Sequence, residues 1–140
     1  MTTILADFAL GLMVADTCVS DGDRIWTQRK VFRHRGALLG FSGEQNESVT
    51  FMTWWRSGCV GKPPKFVSSS ALVLTASGLV EYSNSCVPVP AQSGSAAIGS
   101  GGKAAMCAYH ALGYQNPAKA VAIVCKFDLA SRKPIRTYKL

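Results

Sequence analysis

No stretch of this 140-residue chain approaches the roughly 18 to 20 consecutive apolar residues that a bilayer span requires. Nor does the chain open on a basic stretch followed by a long apolar segment, so no export signal is expected. Charge is sparse at 16%, while hydrophobic residues reach 48% and the mean hydropathy is +0.15, which excludes a disordered polyelectrolyte. Also missing is any Cys-x-x-Cys or His-x-x-x-His spacing of the kind a structural zinc site uses. The five cysteines, Cys18, Cys59, Cys86, Cys107 and Cys125, are odd in number and scattered. They read as reduced packing residues of a cytoplasmic protein rather than a disulfide framework. His34 and His110 stand alone, without neighbours that would make them ligands or bases. Acidic residues are few, eight against fifteen Lys and Arg, giving a net charge of +7. Such a charge attracts polyanions, yet no aromatic-interleaved binding motif accompanies either basic group, Arg24 to Arg35 or Arg132 to Lys139. Charge alone therefore names no ligand, and a nucleic-acid-binding module is the lowest of the functional alternatives.

What is present suits one domain over residues 1–140, long enough to bury about two-thirds of its unfolded surface. Thr3 to Leu10 and Leu12 to Asp16, broken at Gly11, predict a hairpin close to the N-terminus. Ser20 to Asp23 reads as a turn-rich loop. Lys30 to Arg33 and Ala37 to Phe41 are two further strands around an Arg35-Gly36 turn. Glu47 to Arg56 predicts a short helix with Val49, Met52 and Trp55 on one face, ended by Gly58 and the Gly61-Lys62-Pro63-Pro64 run. Ala71 to Thr75 and Leu79 to Tyr82 make a second hairpin around Ser77-Gly78. A Pro-containing loop then leads to Ala96 to Ile98 and directly to Gly99-Ser100-Gly101-Gly102. Lys103 to Leu112 has helical periodicity. Asn116-Pro117 supplies an N-cap and a first-turn proline for a helix to about Lys126. Ile135 to Tyr138 returns as an edge strand, so sheets carry helices on their outer faces.

The residues most apt for chemistry begin at the N-terminus. The chain starts Met1-Thr2-Thr3-Ile4, and removal of Met1 would leave Thr2 with a free α-amine. A threonine hydroxyl is a poor nucleophile without a base. An α-amine with a reference pKa of about 7.7 to 8.0 can take its proton within the same residue.

Three further segments extend this pattern: Val14-Ala15-Asp16-Thr17 at a strand end, Arg29-Lys30-Val31-Phe32-Arg33 on the next strand, and Ala97-Ile98-Gly99-Ser100-Gly101-Gly102 before a helix. With Leu38-Leu39-Gly40-Phe41-Ser42-Gly43, they resemble the proteasome β-subunit family, most closely its bacterial HslV-type branch. The resemblance implies an α+β fold, a four-layer αββα sandwich of the N-terminal-nucleophile hydrolase type. The two long helices the family places between the Gly43 region and the Ala71 strand are reduced here to one short helix and a Pro/Gly loop. It also implies site roles. Thr2 is nucleophile and general base, Lys30 holds a cation near its hydroxyl, and Asp16 pairs with that lysine. Gly40 offers a backbone N–H to the oxyanion, and Ser100 hydrogen-bonds around the α-amine. Asp128-Leu129-Ala130-Ser131 resembles the Asp-x-x-Ser pair that supports the site, through Asp128 and Ser131. No cofactor is required; a structural monovalent or divalent cation near Asp128 to Ser131 is compatible with the family. The implied activity is a threonine-type peptidase working through an acyl-enzyme, with protein or peptide substrates. The implied partners are further copies of the chain, in a ring or another homo-oligomer, and an ATP-dependent unfoldase. The alternative is a scaffold that keeps the fold without turnover.

Overall fold

A computed structural model describes residues 2–84, 87–128 and 130–140. Met1, Cys86 and Leu129, which figure in the expectations above, lie outside the described residues. The first half of the chain runs β1 (Ile4–Asp7), β2 (Leu12–Asp16), β3 (Cys18–Asp21), β4 (Arg24–Thr27), β5 (Val31–His34), β6 (Ala37–Ser42) and α1 (Gln45–Arg56). The second half runs β7 (Ser70–Thr75), β8 (Gly78–Ser83), β9 (Val87–Pro90), β10 (Ser95–Ile98), α2 (Gly102–Ala111), α3 (Pro117–Phe127) and β11 (Ile135–Lys139).

Two antiparallel sheets stack face to face. One has the order β10-β1-β2-β11 and the other β5-β6-β7-β8-β9. Period-2 alternation decides which residues meet in which layer. Ile4, Ala6, Met13 and Ala15 point from the four-stranded sheet toward Val31, Leu38, Leu72, Leu74 and Leu79 of the other, filling the space between sheets. Their alternates, Leu5 and Val14, point the opposite way and pack against Ala105 and Tyr109 of α2 and Ala120, Val121 and Val124 of α3. On the outer face of the five-stranded sheet, Leu39, Phe41, Ala71, Val73 and Tyr82 meet Phe51 and Met52 of α1 and Phe66. The layers are therefore α2/α3, sheet, sheet, α1, the four-layer αββα sandwich expected, with the one short helix α1 and the segment 57–69 standing between β6 and β7.

Several local expectations need correction. Ser20 to Asp23 is the tip of a β3–β4 hairpin rather than a loop: Asp21 pairs with Arg24, and Gly22 takes φ 54. That is a two-residue turn with glycine at the first central position, as primed hairpin turns require. The Pro-containing loop contains β9, paired to β8. The Ala91 N–H donates inward to the Leu79 carbonyl at 3.0 Å, so by alternation Pro88 and Pro90 face outward, where an edge strand tolerates the loss of donors. On α1, Met52 is buried and Trp55 packs against the same cluster as predicted, whereas Val49 is 59% exposed and Phe51 takes the buried place beside Met52. Of the described cysteines Cys18 is buried and half-buried Cys125 packs against the α2/α3 core, whereas Cys59 and Cys107 are exposed and are not packing residues. The Asn116 side chain does cap α3, accepting from the Lys119 N–H at 2.9 Å, with Pro117 in the first turn. Among the described residues no helix is long and apolar enough to cross a membrane.

Candidate active site

The end of β2 carries Asp16 into the interior, where it is fully buried. A buried carboxylate must be paired and hydrogen-bonded to persist in its charged form. Asp16 is both. Lys30, immediately before β5 and 6% exposed, donates from Nζ to Asp16 Oδ1 and Oδ2, both at 3.0 Å. The Thr3 N–H donates to Oδ1 at 2.8 Å and the Cys18 N–H to Oδ2 at 3.0 Å. Burial pushes the Lys30 ammonium below its ordinary range, and the charge and hydrogen bonds of Asp16 offset part of that shift. The result is a desolvated cation held in one place.

A second polar group closes on the same strand from the helix side. Asp128 ends α3, and its Oδ2 accepts from Ser131 Oγ at 2.7 Å and from Ser100 Oγ at 3.3 Å, while Oδ1 accepts from the Ala130 N–H at 3.0 Å. Burial alone would raise this carboxyl. The donors of Ser131, Ala130 and Ser100 together outweigh it and hold Asp128 below the usual carboxylate range. Ser131, fully buried, also meets Thr3 Oγ1 at 2.6 Å. The Ser131 N–H closes the turn onto the Asp128 carbonyl at 3.2 Å. This turn is thus held by its own hydrogen bonds, and its carboxylate is already supplied with donors. Among the described residues, no three His, Cys, Asp or Glu side chains converge as a metal site.

Thr2 lies between these two groups, and the glycine turn explains how it is held. A Cβ on Gly99, which takes φ 91, would stand 1.9 Å from the Thr2 carbonyl oxygen. One on Gly101 would stand 2.0 Å from Thr3 Oγ1. Only residues lacking a side chain let the main chain approach this closely, and the Gly101 N–H then reaches the Thr2 carbonyl at 3.4 Å. Thr2, Lys30 and Ser100 line one cleft of about 560 Å³. Its other walls come from Val19 and Trp26 of the β3–β4 hairpin, from Phe32, and from Ser42, Gly43 and Glu44.

The structure therefore brings together Thr2, Asp16, Lys30, Ser100, Asp128 and Ser131, six of the seven residues singled out from sequence. Gly40 is placed differently. It sits inside β6, paired with Val31 and Leu72, and is not part of the cleft lining. A Cβ there would meet Met13 Sδ at 2.8 Å and Ile4 Cγ2 at 3.0 Å, so this glycine lets the two sheets close beneath the site. Two residues went unnoticed in the sequence. Thr3 is fully buried and bonded to both polar groups. Gly43, at φ 126, lets the cleft rim lie against Ser69, whose Oγ accepts from the Glu44 N–H at 2.9 Å. The repeated threonine at the N-terminus and the second glycine of Gly40-Phe41-Ser42-Gly43 were the available signals.

No family model and no curated protein matches the chain. Solved structures do. HslV from Trypanosoma brucei matches at 22% identity and a TM-score of 0.75, covering 99% of this chain and 100% of its own. Thiobacillus denitrificans BPH, solved in complex with epoxomicin, matches at 14% identity and a TM-score of 0.72, covering 99% and 97%. The Anbu (Gly-1) mutant from Hyphomicrobium sp. strain MC1 matches at 12% identity and a TM-score of 0.72, covering 99% and 82%. These likenesses establish the fold: it is that of the proteasome-like N-terminal-nucleophile hydrolases.

Proposed function

We propose that this chain, folded as a proteasome-like N-terminal-nucleophile hydrolase, is a threonine peptidase whose nucleophile is Thr2 after Met1 is removed. The observation that carries the proposal is the sharing of one cleft by Thr2, the buried Lys30 ammonium and Ser100. A free Thr2 amine takes the proton from Oγ as Oγ bonds to the carbonyl carbon of a peptide. The neighbouring Lys30 charge favours the developing alkoxide and discourages protonation of the amine. Asp16 keeps that lysine charged and fixed. The tetrahedral oxyanion takes an N–H from the cleft rim at Gly43, in place of Gly40, which lies inside β6 and away from the cleft. Breaking the carbon–nitrogen bond passes the proton from the α-amine to the leaving amine and leaves an ester on Thr2. Water, its proton taken by the same amine, hydrolyses the ester and regenerates the hydroxyl. Ser100, Asp128 and Ser131 orient the amine. No step passes through a cation at the Asp128 turn.

The substrates are peptides or unfolded protein segments, and the setting is the cytoplasm. The chain works as a homo-oligomer, fed by an ATP-driven unfoldase where folded substrates are degraded. The deciding experiment is the intact mass of the purified protein before and after a peptide epoxyketone, a reagent that needs both the threonine hydroxyl and its free amine. Loss of the methionine mass and gain of one adduct, absent from Thr2→Ala, is the expected result. A fully trimmed chain that takes no adduct overturns the peptidase proposal in favour of a scaffold without turnover.

A further inference from the structure

Thr3 hydrogen-bonds to both polar groups of the site. Its N–H donates to Asp16 Oδ1 at 2.8 Å, its carbonyl accepts from the Asp16 N–H at 3.1 Å, and its hydroxyl meets Ser131 Oγ at 2.6 Å. The direction of that last bond follows from what lies beyond it. An ionised carboxylate only accepts, so the Ser131 hydroxyl must spend its one proton on Asp128 Oδ2 at 2.7 Å. Ser131 Oγ is then the acceptor toward Thr3, and the Thr3 hydroxyl is the donor. The chain runs in one direction, Thr3 to Ser131 to Asp128, with Ser100 entering the same carboxylate oxygen from the cleft side at 3.3 Å. Donors arranged in series polarise one another, so each link strengthens the next.

We infer that Thr3 is a positioning residue: its buried hydroxyl orders the Ser131–Asp128–Ser100 chain while its main chain is locked to Asp16, fixing the angle between the Thr2 amine and the Lys30 ammonium. Thr3 does not touch substrate. Its fully buried side chain lies on the far side of the main chain from the cleft lining, against the Gly101 backbone, where an added Cβ would stand 2.0 Å from its Oγ1. A one-residue offset thus divides the work, Thr2 reacting and Thr3 setting the geometry in which it reacts. This inference rests on the peptidase proposal above.

The test uses the trimmed full-length protein, a fluorogenic peptide and the peptide epoxyketone, with Thr3→Val and Thr3→Ser compared with wild type. Valine keeps the shape and removes the donor; serine keeps the donor and removes the methyl. The expected result is a kcat and an adduct-formation rate about tenfold lower in Thr3→Val with KM within twofold, and recovery to within threefold of wild type in Thr3→Ser. Unchanged kcat in a folded Thr3→Val overturns the inference, as does equal loss in both variants, which would mean the methyl rather than the hydroxyl matters. Should Thr3→Val fail to fold, Thr3→Ala removes the same donor and, compared with Thr3→Ser, carries the same expectation and the same refutation. A wild-type protein that is trimmed but takes no adduct instead defeats the peptidase proposal itself, a result separable from any behaviour of Thr3.

Discussion

The two outer layers of the sandwich are unequal. The four-stranded sheet is covered by two helices, α2 and α3, whose apolar residues interlock with Leu5 and Val14. The five-stranded sheet is covered by α1 alone, with Phe66 from the following segment. Past α1 that flank is open, with Val60 and Val67 at 73% and 88% exposure. The donors to the Asp16 and Asp128 carboxylates described above are Thr3, Cys18 and Lys30 for the first and Ser100, Ala130 and Ser131 for the second, none of them from α1 or the segment after it. The five-stranded sheet supplies Lys30, just before its edge strand β5, and cleft wall from Phe41 to Ser42, while α1 on the thin side supplies cleft wall alone, from Gln45 and Ser48. Polar groups out of water need fixed partners, and fixed partners need a rigid surround. Shortening the α1 flank leaves that surround intact, so a chain can lose helix there and keep its site.

The comparison predicts different kinds of damage on the two sides. Lys30→Met strands the Asp16 carboxylate in the interior without its cation, a situation that typically costs about 3–5 kcal/mol. Unfolding in urea should show that loss, and peptide hydrolysis per folded molecule should fall at least about a hundredfold with the electrostatic term removed. Met52→Ala is the matching injury on the thin side. Met52 is 8% exposed and packs beneath α1, so its truncation should cost about 2–3 kcal/mol, near the low end for a buried methionine because the flank can relax. Activity per folded molecule should stay within twofold. A Met52→Ala protein that loses kcat while remaining folded would break the division between the two sides.

The same division governs what could be read without coordinates. The glycine turn, Asp16 and Lys30 were legible because each sits in a short segment with its own local signature: a strand end, a basic strand, a Gly-Ser-Gly-Gly turn. The apolar runs Ile4 to Ala6 and Met13 to Ala15 likewise marked a hairpin, and their lack of polar alternates fits strands buried on both faces. What escaped depends on contacts between distant segments. Thr3 and Ser131 are 128 positions apart, and nothing near either announces the bond between them. Gly40 reads from its motif as a donor, while its surroundings in the fold, Met13 and Ile4, come from another sheet. β9 was hidden by its prolines, which signal loop in isolation and become acceptable only once β8 occupies their inner edge. On α1 the face through Met52 and Trp55 was legible, but periodicity alone cannot tell Val49 from Phe51 when the helix is only 12 residues long and rests on one side of a sheet.

The smallest expected effect tests whether Asp128 belongs to the rigid side by its titration. Its folded-state carboxyl is held below the ordinary value of 3.8: burial works to raise it, but the Ser131, Ala130 and Ser100 donors prevail. In the region around and below that value the unfolded chain takes up a proton before the folded one, so acidification favours unfolding. The stabilisation from Asp128 is therefore complete above the ordinary carboxyl range and is lost as pH falls through the lower, folded value. Asparagine at this position does not titrate. Thermal unfolding of wild type and Asp128→Asn between pH 7 and pH 2 should give Tm curves separated at neutral pH that draw together on the acid side. The gap should begin to close only below about pH 4, since the titration is displaced downward. A constant gap over the whole range would mean that Asp128 acts through the shape of its turn, not through the charge that orders Ser131 and Ser100.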